Sequence, residues 1–314
     1  MKTILYSFFA LCIFGCSHFF GNAENQKTPR ETPSLARGNL PEKKIEPIKK
    51  RILLLGFKNQ TPYQSPKVWA QIQERIEKLF EGLNDYVLVN QSDFWNTRSE
   101  WEVINDLDYG ELYHRAKAMG IDGILTGTLM EAVESETGEE VGLFRSRQYQ
   151  ISVSMEIELL DVHSEKKVFS RLETAQVDEE RTEFLGRAPA SYDASRIERA
   201  VDKTLDQALT HVPAHLRKIH WVGRIARIEL HRFYINSGEL SGIRLGQLLK
   251  VFGSERPIRD RPSGVMIGVA RGDFKGLLKV IDYFGKDGAV AVVHSGAGFR
   301  EKDRVESYQP PDTL

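Results

Sequence analysis

Cysteine is almost missing from this chain. Of 314 residues only Cys12 and Cys16 carry a thiol, both near the start. Two cysteines at one end build neither a disulfide framework nor a zinc ribbon. A surplus of one charge is missing too. Lys and Arg number 43 and Asp and Glu 44, for a formal net charge of -1. A chain made to grip nucleic acid carries a basic excess, so nucleic acid is not expected as a partner. No apolar run reaches the about 20 residues a bilayer-spanning helix needs.

Catalytic signatures are absent as well. There is no G-x-x-x-x-G-K-[ST] phosphate loop and no G-x-S-x-G nucleophile elbow. Gly296-Ala297-Gly298 lacks the third glycine of a dinucleotide fingerprint and follows a strand pattern rather than opening a helix. His211 and His215 have the spacing of a helical metal pair. Pro213 lies between them and no carboxylate follows at helical spacing, so they read as solvated histidines in a linker. Asp93, Asp106 and Asp108 read as surface carboxylates or helix caps. The chain is therefore expected to be no enzyme, with no catalytic residue, cofactor or metal.

What is there begins with an address. Met1-Lys2 gives a positive start, and Ile4–Phe14 is almost wholly apolar, the pattern of a secretory signal peptide. Ile13-Phe14-Gly15-Cys16 then resembles a bacterial lipoprotein box. That chemistry needs a small residue, here Gly15, before the cut, and a cysteine thiol, here Cys16, to take the diacylglycerol. The resemblance implies cleavage between Gly15 and Cys16 and acylation of Cys16. Ser17 follows the anchor. The absence of Asp there resembles lipoproteins of the outer membrane, facing the periplasm.

Residues 16–50 carry Pro29, Pro33, Pro41 and Pro47 and few large apolar side chains. Such a stretch cannot bury enough surface to offset its ordering entropy, so it reads as a disordered tether averaging about 30 Å end to end. The basic cluster from Lys43 to Arg51 is diluted by Glu42 and Glu46 and reads as solvated linker.

The remainder divides in two. Ile52–Phe57 is a buried-strand run. Ser65-Pro66 opens a helix that closes at Gly82. Tyr86–Val89 and residues 122–133 are further strands, with a short helix ending at Gly120 between them. Ile151, Val153, Met155, Ile157 and Leu159 alternate with polar residues, which predicts a strand with one buried face. Its hairpin partner spans 167–177. Ser195-x-x-Glu198 is a capping-box pattern before an amphipathic helix over 196–212. The order predicts an α/β or α+β mixed sheet with helices over 51–218. Thirteen of the 25 glycines fall between Gly223 and Gly298, separating short apolar runs. That composition predicts a small antiparallel barrel over 219–308, in which Tyr234 packs the core and Asn236-Ser237-Gly238 makes a turn. The two parts are expected to fold as separate units joined near 215–220, with 309–314 a frayed tail.

The strand at ILLLGFKN, the GIDGILTGTL segment, the long hairpin from Gln150 and the closing helix resemble the domain shared by the curli secretion channel lipoprotein and the N-terminal domain of translocation protein TolB. Tyr234-Ile235-Asn236-Ser237-Gly238, Gly242-Ile243-Arg244-Leu245-Gly246, Leu249-Lys250-Val251-Phe252, Asp260-Arg261-Pro262-Ser263-Gly264 and Lys302-Asp303-Arg304-Val305 resemble the C-terminal barrel of flagellar assembly protein T. These resemblances imply a lipid-anchored periplasmic protein working in envelope assembly, with the flagellar basal body as its setting. The implied partners are the membrane, through the anchor, envelope or flagellar ring proteins, and further copies of the chain in an oligomer or ring. Two alternatives stay open: an activator of a peptidoglycan synthase, and a curli-type secretion component. The second would place segments 134–149 and 178–195 in lipid. Both are dense in Glu and Arg, a costly composition for a spanning strand.

Overall fold

A computed structural model describes residues 47–63, 65–95, 108–141, 144–184, 195–254 and 256–308. The signal segment 1–15 with Gly15, the anchor Cys16, the tether up to residue 46 and the tail 309–314 lie outside the described residues.

β1 (Lys50–Asn59) is the strand foreseen in the Ile52–Phe57 run. It pairs in parallel with β2 (Tyr86–Asn90) on one side and β3 (Gly123–Val141) on the other. A central parallel strand is covered on both faces, which is why it is apolar at nearly every position. Ile52, Leu54 and Phe57 enter one core cluster, whereas Leu53 and Leu55 enter another on the opposite face. The first core lies under α1 (Pro66–Glu81), which buries Val68, Ile72, Ile76 and Phe80 at four-residue steps. The second lies under α2 (Gln91–Trp95) and α3 (Tyr109–Ala118), through Phe94, Leu112 and Ala116.

β3 runs on into β4 (Phe144–Asp161) and β5 (Lys166–Phe184), giving a five-stranded mixed sheet in the order β2-β1-β3-β4-β5. The alternation in β4 is observed as expected: Ile151, Val153, Met155, Ile157 and Leu159 are all buried. α4 (Ser195–Leu209) covers that face with Ile197, Val201 and Leu205. α5 (Val212–Leu216) follows with Pro213 in its first turn.

These three strands are longer than the apolar pattern predicted. The segment 134–149 belongs to the far ends of β3 and β4, and 178–184 to β5. Together they form a three-stranded antiparallel arm about 20–25 Å long at about 3.3 Å per residue. Polar contacts replace apolar ones along it: Arg147 pairs with Glu136, and the Ser146 hydroxyl donates to Glu180 at 3.0 Å. At the root of the arm Arg196 from α4, with a side chain only 3% exposed, lies 3.5 Å over the Tyr149 ring and 2.6 Å from Glu134.

The C-terminal part is the expected barrel. β6 (Gly223–Glu229), β7 (Arg232–Ile235), β8 (Leu248–Phe252), β11 (Phe274–Phe284), β12 (Gly288–Gly296) and β13 (Arg304–Ser307) close in the order β11-β12-β7-β6-β13-β8. β9 (Arg256–Arg259) and β10 (Met266–Ala270) form a separate hairpin that leaves Ile258, Val265 and Ile267 exposed. Glycine is needed where β11 and β12 cross closely. A Cβ at Gly276 would fall 2.1 Å from the Ser295 carbonyl oxygen, at a φ of +147.

The end of the presumed tether is corrected. Ile48 is buried in the barrel core beside Trp221, Ile225 and Val251. The Lys49 N–H donates to the Ser241 carbonyl at 2.8 Å, and Lys50 already belongs to β1. The basic cluster is likewise anchored at its end: the Lys50 ammonium donates to the Leu216 and Arg217 carbonyls. Ile48 stands with only Ile45 among prolines, glutamates and lysines, too few apolar positions to show a period, so its burial had no sequence signal.

Candidate functional site

The densest polar construction among the described residues is the seam where the mixed sheet meets the barrel. Its centre is Asp122, at the turn from α3 into β3. The side chain is 0% exposed. One carboxylate oxygen accepts the Arg51 N–H of β1 at 2.9 Å. The other accepts the Val222 N–H just before β6 at 2.9 Å and lies 3.1 Å from His163 Nε2. Burial pushes the Asp122 pKa upward. The hydrogen bonds from His163, Arg51 and Val222 oppose that shift without cancelling it. Backbone bonds reinforce the node: the Asp122 N–H donates to Arg51 and the Val162 N–H donates to Asp122. One carboxylate thus fastens β1, the turn after β4, and the entrance to the barrel.

A second node adjoins it. The Arg51 guanidinium donates to the Met119 carbonyl at 2.8 Å and to the Asn236 carbonyl at 3.4 Å, and stands 3.9 Å from Asp287. Asn236 was expected only as a turn residue. Its side-chain oxygen accepts the Arg224 N–H at 2.8 Å, and its amide donates across the seam to the Lys117 and Ala118 carbonyls at 3.3 Å. Gly120, at φ +70, lets the chain pass so close that a Cβ there would sit 2.9 Å from the Asn236 carbonyl oxygen. Asp287 holds the loop beyond: it accepts the N–H groups of Gly238 and Ser241 at 2.8 and 3.2 Å and the Ser241 hydroxyl at 2.5 Å. The barrel has an internal ion pair of its own, Lys275 with the buried Asp303 at 2.7 Å.

The other residues marked in the sequence fall as follows. Tyr234 is not the core residue expected: Phe233 and Ile235 on either side of it fill the core, and Tyr234 faces outward, edge-on against the exposed Phe284 at 5.2 Å. Asp108 caps α3 by accepting the N–H of Gly110 at 2.8 Å. Asp93 faces Lys286 at 3.4 Å, both exposed. Asp106 lies outside the described residues. His215 is not a freely solvated side chain: its ring lies 4.3 Å from that of Phe169. Burial, followed by the nearby Lys218 charge, lowers its pKa. His211 stands 3.9 Å from Glu173. Among the described residues no three His, Cys, Asp or Glu side chains come together in a way that would hold a metal ion, and no helix is long and apolar enough to cross a membrane.

The geometry of the seam is that of a fastening. Each carboxylate is spent on backbone donors or on a neighbouring cation, and the nodes tie together segments that are far apart in the chain.

No protein-family model matches the chain, and no curated protein matches it. Solved structures give partial likenesses. Lipoprotein GNA1162 from Neisseria meningitidis is 15% identical, with 51% of this chain and 99% of that one covered at a TM-score of 0.29. The LpoB C-terminal domain from Salmonella enterica is 10% identical, covering 42% and 86% at 0.28. The PelC dodecamer from Paraburkholderia phytofirmans is 12% identical, covering 52% and 86% at 0.28. Likenesses of this size carry no functional weight.

Proposed function

We propose that this chain is a non-enzymatic lipoprotein of the bacterial periplasm, held at the outer membrane through Cys16, whose folded part acts as a docking scaffold in envelope assembly. The observation that carries the reading is the lipidation motif Ile13-Phe14-Gly15-Cys16 ahead of a fold whose polar groups are committed to joining a sheet to a barrel. Such a body offers surfaces, among them the charged arm of β3, β4 and β5 and the hairpin of β9 and β10 with its exposed Ile258, Val265 and Ile267. Tethering raises the effective concentration of those surfaces near an envelope partner. The setting proposed is the flagellar basal body, from the barrel's resemblance to flagellar assembly protein T, with the chain working as an oligomer or ring component. The proline-containing segment before Pro47 favours a second reading, a tethered activator of a peptidoglycan synthase.

A deletion strain tests the setting. Loss of swimming and of an outer basal-body ring supports the flagellar reading. Normal swimming with normal rings overturns it. Cross-linked capture from membranes then decides the alternative, a wall synthase being the expected catch.

A further inference from the structure

Beside the seam, on the side of α3 and β13, lies an open cleft of about 310 Å³. Its wall is unusual in sign. His114 and Lys117 come from α3, His163 from the turn after β4, Arg224 from β6, and Lys302 and Arg304 from the approach to and start of β13. Val222, Gly223 and Ser254 complete the lining, and among the described residues no carboxylate belongs to it.

The neighbouring acids neutralise only part of this charge. Lys117 meets Glu165 at 2.7 Å, Arg304 meets Glu306 at 2.8 Å, and His163 is engaged with Asp122. Glu306 is shared between Arg304 and Arg271, and neither it nor Glu165 meets Arg224 or Lys302. Among the described residues neither the Arg224 guanidinium nor the Lys302 ammonium has a hydrogen-bonding or ion-pair partner. Arg224 is half-buried, and its pKa is lowered by burial with no acid opposing the shift. A half-buried cation without a counter-charge costs stability unless a ligand supplies one. Lys302 stands at a φ of +73, where glycine is the favoured residue, so the lysine there does not serve the backbone.

We propose that this cleft binds a small ligand carrying a phosphate monoester. The two unmatched cations select it: a phosphate monoester carries about -1.5 to -2 at neutral pH, which answers Arg224 and Lys302 together, whereas a single carboxylate falls short. Two arginines offer the planar fork that suits phosphate oxygens. The volume lies at the lower end of small-molecule sites, about 300–1,000 Å³, room enough for the phosphate and the group next to it. The phosphate has two sources, a soluble monoester or the exposed headgroup of a lipid such as phosphatidic acid.

The test uses residues 17–314, which carry neither the apolar signal segment nor the acylated cysteine, so that neither binds membranes itself. Phenyl phosphate is titrated by calorimetry at constant ionic strength, and sedimentation is measured with vesicles of phosphatidylcholine with and without phosphatidic acid. Two variants keep the fold. Lys302→Gly suits the left-handed backbone, and Arg224→Gln removes a half-buried charge. Each is expected to weaken binding by at least about tenfold, and Arg224→Gln is expected to leave the melting temperature unchanged or raised. Saturable phenyl phosphate binding that both variants weaken assigns a soluble ligand. Binding only to phosphatidic acid vesicles, weakened by both variants, assigns the lipid headgroup. No binding to either probe up to about 10 mM, or binding that neither variant changes, overturns the site, since a specific charge-assisted contact loses affinity when its cation is removed.

Discussion

The carboxylate of Asp122 accepts the backbone N–H of Val222, 100 residues further along the chain, at 2.9 Å. The same side chain accepts the Arg51 N–H, so one buried acceptor ties the central strand of the sheet to the first segment of the barrel. Asp122→Ala leaves both donors buried without an acceptor, at a cost of about 1–3 kcal/mol for each group so exposed. A clearly lower urea midpoint is expected, with Asp122→Asn, which keeps one acceptor oxygen, losing less. An unchanged midpoint in the alanine variant would remove Asp122 from the account of the seam.

Ile48 fills the barrel core from outside the barrel's own sequence. Ile48→Ala is expected to cost about 2–5 kcal/mol, the range for a fully packed aliphatic side chain cut to alanine. A fragment of residues 219–308 retains the rest of the cluster and is expected to fold, at lower stability than the barrel has in the whole chain. Amide dispersion and denaturant midpoints of fragment and chain check both statements. Equal midpoints would mean that Ile48 contributes nothing.

His215 gives a pH dependence. Its pKa is lowered from the ordinary 6.5, burial being the first cause and Lys218 the second. The unfolded chain then takes the proton more readily than the folded one. The stabilisation is complete above the unfolded value of about 6.5 and is lost as pH falls through the lower folded value. His215→Phe keeps a ring against Phe169 and removes the titration. Between about pH 8 and pH 5 the wild-type melting temperature is expected to fall relative to that of the variant. Parallel curves would contradict the assignment.

Cys16→Ser removes the thiol that the lipoprotein box requires. The variant is expected to lose palmitate labelling and to leave the membrane fraction or stay unprocessed. Labelling equal to wild type would locate the acyl chain elsewhere and undo the anchoring part of the proposed function.

Much of the fold was legible because burial writes itself as periodicity. The period-two run from Ile151 to Leu159 and the four-residue steps of α1 correspond to surfaces that meet a core. The far ends of β3, β4 and β5 were not legible as strand. Their side chains pair with one another across strands, as Arg147 does with Glu136, and a strand without a core-facing side has no apolar rhythm. The seam was legible only in part. Asn236-Ser237-Gly238 announced a turn, but nothing local indicates that Asn236 bonds to the end of α3. Asp122 opens the strand read over 122–133, and nothing in that pattern marks its carboxylate as the most enclosed acid of the seam. The basic cleft draws its residues from α3, the β4–β5 turn, β6 and β13, which only the assembled fold brings together.

The position of Ile48 also sets the path of mechanical load. The described chain enters through the barrel core at Ile48 and passes two residues later into β1, the strand hydrogen-bonded on both sides within the sheet. A pull arriving from the N-terminal side is therefore resisted first by a side chain seated in the barrel and then by two parallel ladders loaded in shear. Force applied at that end is shared between both halves of the molecule, with neither able to yield first without disturbing the other.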